Sequence, residues 1–235
     1  MLDIVTIDGP AGAGKSTAAK ALAAKLGWRY LDTGAMYRAI TWKAIQEDRL
    51  SIVDGCCDDM KEIATMIGKT ELVLDGTKVF CDGIDVTVEI RRPDIATALK
   101  PIADSPECRA ELVKQQIIIG STGKLVTEGR DQGSVVFPTA KYKFYMDASV
   151  EERARRRTIQ EGGEYEGVLR RVKDRDVADK SRPVGTLVIP DGALFIDTTG
   201  NSLDQTVDLL YRKMLEMSLR YGVSEFPSQE HNGIL

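Results

Sequence analysis

The chain has 235 residues, 43% of them hydrophobic and 29% charged, with a formal net charge of −4 and a pI near 5.3. That mixture supports one sizeable core, or one core carrying a small insertion, and excludes disorder by composition. The acidic balance argues against nucleic-acid binding through the whole surface, so any anion site must be local. Cys56, Cys57, Cys81 and Cys108 form no C-x-x-C pair and the single histidine is His231, so metal-ligand spacing is absent and the cysteines read as reduced thiols of a cytoplasmic protein. The first strand begins almost at once, without a basic segment and a long apolar run, and no stretch approaches bilayer length. Neither secretion nor a membrane partner is expected.

Ile4-Val5-Thr6-Ile7 reads as a strand, and it runs into Gly9-Pro10-Ala11-Gly12-Ala13-Gly14-Lys15-Ser16, a complete G-x-x-x-x-G-K-[ST] loop. Glycines let successive backbone N–H groups turn inward around phosphate oxygens, and the next helix aims its positive end at the same anion. Lys15 is expected to reach the β- and γ-phosphates and Ser16 to hold Mg²⁺. The bland alternative is a glycine-rich turn that only joins strand to helix. Residues 15–26 carry five alanines, and small side chains let that helix lie close to a sheet. A second short strand is predicted at 28–31, ending at Asp32-Thr33-Gly34, with Thr33 as a natural cap and a helix over 36–47. Arg38 follows one turn later, where its planar fork suits a second phosphate, or where it is simply exposed on a capped helix.

Three short apolar runs, 71–74, 78–81 and 84–86, are separated by Asp75-Gly76 and Asp82-Gly83, which is the spacing of tight hairpins. They read as an antiparallel insertion that carries specificity, or as a surface decoration. Helices are predicted at 93–103 and 106–119, core strands at 125–127, 144–146 and 194–196, and a closing helix at about 203–221. The β-α-β alternation predicts an α/β fold with a parallel sheet and flanking helices. Ligands in such sheets gather beyond the carboxyl ends of the strands. Glu128-Gly129-Arg130-Asp131 stands at one of those ends, an acid and a base side by side in a turn.

Residues 151–182 hold ten Lys or Arg against eight Asp or Glu, reversing the sign of the whole chain. Arg153, Arg156 and Arg157 are expected on one helical face, and Arg171, Arg175, Asp179 and Arg182 on another, with a glycine-containing connection at 160–167 between them. Solvated ion-paired helices have similar composition. Beside a phosphate loop, however, two arginine helices on a glycine hinge suit a lid that excludes water from phosphoryl transfer. Switch GTPases need an Asn-Lys-x-Asp segment, which is missing in usable form. Motor ATPases end an apolar strand in an acidic pair, whereas Leu125-Val126-Thr127-Glu128 offers one acid.

Taken together, Ile7 to Thr17, Leu31 to Arg38, Glu89-Ile90-Arg91, Gly129-Arg130-Asp131 with Val135-Val136-Phe137-Pro138, and Glu152-Arg153-Ala154 with Arg156-Arg157 closely resemble the bacterial cytidylate kinase family of nucleoside monophosphate kinases. The resemblance implies a P-loop NTPase-type parallel five-stranded sheet with flanking helices. It also implies a small antiparallel β insertion at the acceptor site (68–90), an Arg-rich helical lid (151–185) and one kinase domain over 1–221; residues 222–235, short of apolar periodicity, are expected to be a mobile tail. By that likeness Gly9, Pro10, Ala11, Gly12, Ala13, Gly14, Lys15, Ser16 and Thr17 bind ATP. Thr33, Arg38, Arg130, Arg175 and Arg182 hold the acceptor, Arg109 and Asp131 read a cytosine edge, and Asp179 contacts the sugar. Arg153, Arg156 and Arg157 belong to the lid. Lys15, Arg130, Arg175 and Arg182 stabilise transferred charge. An ATP- and Mg²⁺-dependent kinase of CMP or dCMP is implied, cytoplasmic and monomeric. A kinase of another acceptor such as UMP, or a silent nucleotide-binding module, is the alternative. Three positions depart from the family's habit: Lys100 stands where a serine is usual, Glu128 where an aspartate is usual, and Gly185-Thr186-Leu187 where Ala-Pro-Leu is usual.

Overall fold

The computed structural model describes residues 3–51 and 59–220. Cys56, Cys57, His231 and the tail expected at 222–235 lie outside the described residues. Five parallel strands form the main sheet in the order β2-β6-β1-β7-β8: β1 (Ile4–Asp8), β2 (Arg29–Asp32), β6 (Leu125–Gly129), β7 (Tyr142–Asp147) and β8 (Leu194–Asp197). Alternate residues of β1 feed opposite faces, as a period of two requires. Ile4 joins one core with Leu31, Met36, Ile40, Ile63 and Leu112, while Val5 and Ile7 join the other with Leu22, Phe144, Leu210 and Met214. The chain places β6 on one side of β1 and β7 on the other, so a crevice opens beyond the carboxyl end of β1.

Helix α1 (Lys15–Leu26) spans the expected residues and packs Ala18, Ala19, Leu22 and Ala23 against the sheet. Helix α2 (Thr33–Gln46) begins three residues earlier than the sequence pattern suggests. Its cap is Asp32 and not Thr33: the Asp32 carboxylate accepts the Ala35 N–H at 2.8 Å, which frees the Thr33 hydroxyl to donate to the Glu128 carbonyl at 2.7 Å. After α3 (Met60–Lys69) come β3 (Leu72–Asp75), β4 (Lys78–Cys81) and β5 (Ile84–Asp85), a three-stranded antiparallel sheet. Val79, Cys81 and Val86 pack it on Ala35 and Ala39 of α2, so the insertion rests on the helix that follows β2.

The single helix expected at 93–103 is two short ones, α4 (Pro93–Ala98) and α5 (Lys100–Asp104). Pro101 has no N–H to give the preceding turn, and the break falls beside it at Leu99. α6 (Pro106–Ser121) then leads to β6. Between β7 and β8 lie α7 (Val150–Glu161) and α8 (Tyr165–Lys180). The glycine-containing connection is narrower than expected, because Gly167 is inside α8. Ala154, Val168 and Val172 form a small core that includes no residue of the sheet. Two valines at about 2 kcal/mol each, with the smaller contribution of one alanine methyl, fasten the two helices to one another, leaving polar contacts to hold the pair to the body. Helix α9 (Leu203–Arg220) closes the chain against α1.

Candidate active site

The loop between β1 and α1 approaches β7 so closely that a Cβ on Gly9 would lie 1.9 Å from the Met146 carbonyl oxygen. Gly12 and Gly14 adopt φ of 83° and 87°, which turns their N–H groups toward the loop's concave side. Lys15 is buried at the centre and donates to the Pro10 carbonyl at 2.8 Å. Burial, and after it the Arg130 charge, hold its pKa down at about 7 against the pull of Glu128, Asp179 and Asp8. A buried ammonium with one carbonyl partner is a cation prepared for an anion.

Ser16 donates to Glu128 Oε1 at 2.8 Å. Glu128 is the penultimate residue of β6, one strand over, and its carboxyl is pushed above the usual range by burial and then by Asp32. Asp8, at the end of β1, accepts N–H groups of Gln132 and Gly133 at 2.8 and 2.7 Å. Burial raises its pKa to about 7 although both hydrogen bonds pull it down. These oxygens line the crevice floor.

Four basic groups gather on the other side. Arg130 Nε donates to Asp179 Oδ2 at 2.6 Å, Arg175 Nε approaches Asp179 Oδ1 at 3.3 Å, and Arg182 reaches the same oxygen at 3.0 Å. Burial alone would raise the Asp179 pKa, but the guanidiniums, Arg130 first, keep it below the usual carboxylate range. One fully buried carboxylate therefore organises three arginines from the β6 turn, from α8 and from the residues that follow it. Arg38 is paired with Asp32 at 3.1 Å at the start of α2, so it stands beside Thr33 as the sequence spacing suggested.

Arg109, from α6, is buried against Asp131 and forms an ion pair with it. Its guanidinium also lies 5.5 Å from the centre of the Tyr37 ring. A donor-only and an acceptor-only group thus stand together, next to Arg130. Lys100 turns away from them, 77% exposed, toward Asp104 Oδ2 at 3.1 Å, and Asp104 Oδ1 meets Arg182 Nε at 3.3 Å.

Of the α7 arginines, Arg153 and Arg156 reach the phosphate loop. Arg153 donates to the Ala11 carbonyl at 3.2 Å and makes a two-pronged pair with Asp176 of α8 at 2.9 and 2.6 Å. Arg156 contacts the Ala13 carbonyl and Thr198, at 3.3 and 3.1 Å. Arg157, about 40° round the helix from Arg153, shares their side of α7 but pairs with Glu161 one turn onward. Arg171 is exposed and separate from the Asp179 cluster.

Several participants were not singled out from sequence. Asp8, Asp32 and Tyr37 lie inside the stretches that carry the resemblance but were given no role of their own, and Asp176 lies in none of those stretches. Thr198 follows β8 in the polar run after that strand, which is the signal that points to it. Among the described residues no group of three or more His, Cys, Asp or Glu side chains could hold a metal ion by itself. Nor is any described helix long and apolar enough to cross a membrane.

The family model described as cytidylate kinase matches residues 5–216. Among curated proteins, the cytidylate kinase of Caldanaerobacter subterraneus subsp. tengcongensis is 46% identical over 88% of this chain and 92% of its own. That of Desulfitobacterium hafniense is 44% identical over 87% and 89% respectively. Among solved structures, TT1252 from Thermus thermophilus superposes with a TM-score of 0.51 at 20% identity, covering 92% of this chain and 97% of that one. This last likeness concerns the fold alone.

Proposed function

This chain belongs to the cytidylate kinase family, and we propose that it transfers the γ-phosphate of ATP to CMP or dCMP, giving ADP and CDP or dCDP. The observation that carries the reading is the adjacency of two charged sets: buried Lys15 in its loop, which feels the charges of Arg130 and Asp179, and Arg130, Arg175 and Arg182 on the buried Asp179, with the buried Arg109–Asp131 pair beside them. The loop of residues 9–17 takes the triphosphate, and Arg153 and Arg156 join α7 to its rim. Thr33, Arg38, Arg130, Arg175 and Arg182 receive the acceptor phosphate. Arg109 donates to the O2/N3 side of a cytosine and Asp131 accepts from its amine. Asp179 faces the sugar once the arginines turn to phosphate. Arg157 plays a smaller part than its neighbours.

Phosphate fits this site: Lys15 has a single backbone acceptor and a depressed pKa, and an anion restores its full charge. A hydroxyl backed by a carboxylate, Ser16 with Glu128, fits a hard divalent ion. Mg²⁺ carried with the nucleotide would be held by Ser16, and when bound it neutralises charge on the β- and γ-oxygens. The chain itself positions the acceptor phosphate oxygen in line with the γ-phosphorus, stabilises the charge through Lys15 and the arginines, and excludes water beneath α7 and α8. No covalent phosphoenzyme is required. The reading goes with a cytoplasmic monomer.

The test is ADP release from Mg·ATP with CMP, dCMP, UMP, AMP, GMP or no acceptor, and with Lys15→Ala as control. Release driven chiefly by CMP and dCMP, and lost in Lys15→Ala, is the expected result. Release with another acceptor overturns the substrate, and ATP binding without release overturns the activity.

A further inference from the structure

Alternation along β1 sends Ile4, Thr6 and Asp8 to the side of the sheet opposite α1. Against that side lies one wide helical turn, Gln132–Val136, which directly follows Arg130 and Asp131. A Cβ on Gly133 would lie 2.8 Å from the Thr6 hydroxyl oxygen and 3.0 Å from Pro190 Cγ, so the turn is pressed onto the strand. The Asp131 and Gln132 carbonyls accept the Val136 and Phe137 N–H groups at 3.2 and 2.7 Å, which closes the turn on itself. The N–H groups at its start have no partner within it. Asp8 supplies one: its two oxygens accept from Gln132 at 2.8 Å and from Gly133 at 2.7 Å, one each. The Gln132 side chain is fixed as well, between Thr127 Oγ1 and Gln116 of α6, both at 3.0 Å. Asp8, Gln132, Thr127 and Gln116 are all buried. Asp8 is also the last residue of β1, and the phosphate loop opens at the next residue with Gly9 and Pro10, whose carbonyl receives Lys15. One residue thus has its backbone at the root of the loop and its carboxylate under the turn that carries Arg130 and Asp131.

We propose that Asp8 is a positioning residue for phosphoryl transfer: by holding the Gln132 and Gly133 N–H groups, its carboxylate fixes the Arg130–Asp131 turn relative to the phosphate loop, and so aligns the acceptor phosphate with the γ-phosphate. The inference rests on the reading of the loop as the triphosphate site and of Arg130 and Asp131 as acceptor contacts. It adds that the mutual alignment of the two substrates depends on a side chain that touches neither. In-line transfer is sensitive to such alignment, since a misplacement of about 1 Å costs on the order of a hundredfold in rate. The glycines of the loop and Lys15 do not need the turn to bind a triphosphate, so the effect falls on turnover and not on ATP affinity.

Two variants disturb the contact from opposite sides. Asp8→Asn keeps the shape but turns one acceptor oxygen into a donor, so one N–H of the turn is left facing another. Gly133→Ala keeps the carboxylate and moves its partner, because the added methyl meets Thr6 and Pro190. Gly133 has no positive φ, so that methyl acts by contact and not by backbone strain. ATP affinity by calorimetric titration, and kcat and KM with CMP, are measured for the parent, both single variants and the double variant, with circular dichroism to establish folding. Each single variant is expected to lose about a hundredfold in kcat, with ATP affinity within about threefold of the parent. The double variant is expected to be no slower than the slower single one, because both act on one contact. A folded Asp8→Asn enzyme with the parent kcat overturns the proposal and leaves Asp8 a role in stability alone. A loss of ATP affinity as large as the loss of turnover overturns it too, as do losses that multiply in the double variant. If Asp8→Asn does not fold, Gly133→Ala decides, and an unaltered kcat there is equally fatal. A parent enzyme that shows no CMP-dependent turnover overturns the underlying reading instead, so the two failures are distinguishable.

Discussion

The Ser16 hydroxyl donates to the Glu128 carboxylate at 2.8 Å, a bond that joins the first turn of α1 to the end of β6 across 112 residues of chain. It puts a glutamate, one methylene longer than an aspartate, directly behind the hydroxyl expected to face Mg²⁺. If this carboxylate orients Ser16, Glu128→Gln keeps the shape and removes the charge. The expected result is a fall in kcat on the order of a hundredfold and a higher Mg²⁺ requirement, with affinity for metal-free ATP retained. Ser16→Ala should produce a similar loss, and the double variant little more than either single one, since the two act as a unit. Rates measured across a Mg²⁺ titration check this; an unshifted Mg²⁺ dependence in Glu128→Gln contradicts it.

That relationship also shows what local sequence carries. The phosphate loop and α1 were legible to the residue because glycine spacing and alanine content are local properties. The hairpins of the insertion were legible for the same reason. Asp32 took the cap expected of Thr33 because the backbone direction at the end of β2, and the Glu128 carbonyl waiting for Thr33, are set by the sheet. Asp179 looked like one member of a charge stripe, and its role as the buried anion of three arginines depends on bringing α8 against the β6 turn. Glu128 as the partner of Ser16, and Asp8 as the partner of the Gln132 and Gly133 N–H groups, arise from tertiary approach, for which no spacing rule exists.

Asp179 concentrates the electrostatics of the acceptor side. Asp179→Asn leaves Arg130 and Arg182, both largely buried, without their carboxylate. A buried pair broken on one side costs about 3 kcal/mol or more, so thermal unfolding should shift clearly downward. Inorganic phosphate or CMP supplies negative charge to the same guanidiniums, and should restore more of the lost melting temperature in the variant than it adds to the parent. Because the Asp179 pKa is depressed, its contribution is present above the unfolded carboxylate value and is lost as pH falls below it. The parent and variant curves should therefore converge in acid. A melting temperature unaltered at neutral pH would show that the three arginines do not depend on this anion.

Lys15 provides a direct reading of phosphate contact. With its pKa held at about 7, the nucleotide-free lysine is mostly uncharged at pH 8. A triphosphate in the loop favours the ammonium, so ATP binding at that pH takes up nearly one proton. Calorimetry in buffers of different ionisation enthalpy should give that uptake in the parent protein and remove it in Lys15→Met. Near pH 6 the lysine is already charged, and the difference between the two proteins should vanish. Equal proton uptake in both at pH 8 would place the titrating group elsewhere.

The same lysine and Asp8 predict an unusual pH dependence of stability without nucleotide. Asp8 has a folded pKa raised to about 7, so the folded state binds more protons than the unfolded chain above the ordinary carboxylate range. Its contribution is complete below the unfolded value of 3.8 and is lost as pH rises through about 7. Lys15 has the opposite shift: its contribution is present above 10.5 and is lost as pH falls through about 7. Near neutrality each group is about half charged within the same buried crevice, and the pair contributes least there. Each limb has a slope of at most about 1.4 kcal/mol per pH unit. Denaturant unfolding from pH 5 to pH 9 should show Asp8→Asn flattening the acid-side limb and Lys15→Met the alkaline-side limb, each relative to the parent. Saturating Mg·ATP should remove the alkaline limb without a mutation, because the triphosphate stabilises the charged lysine that burial otherwise opposes. Parallel curves for all three proteins would mean that neither burial governs stability in this range.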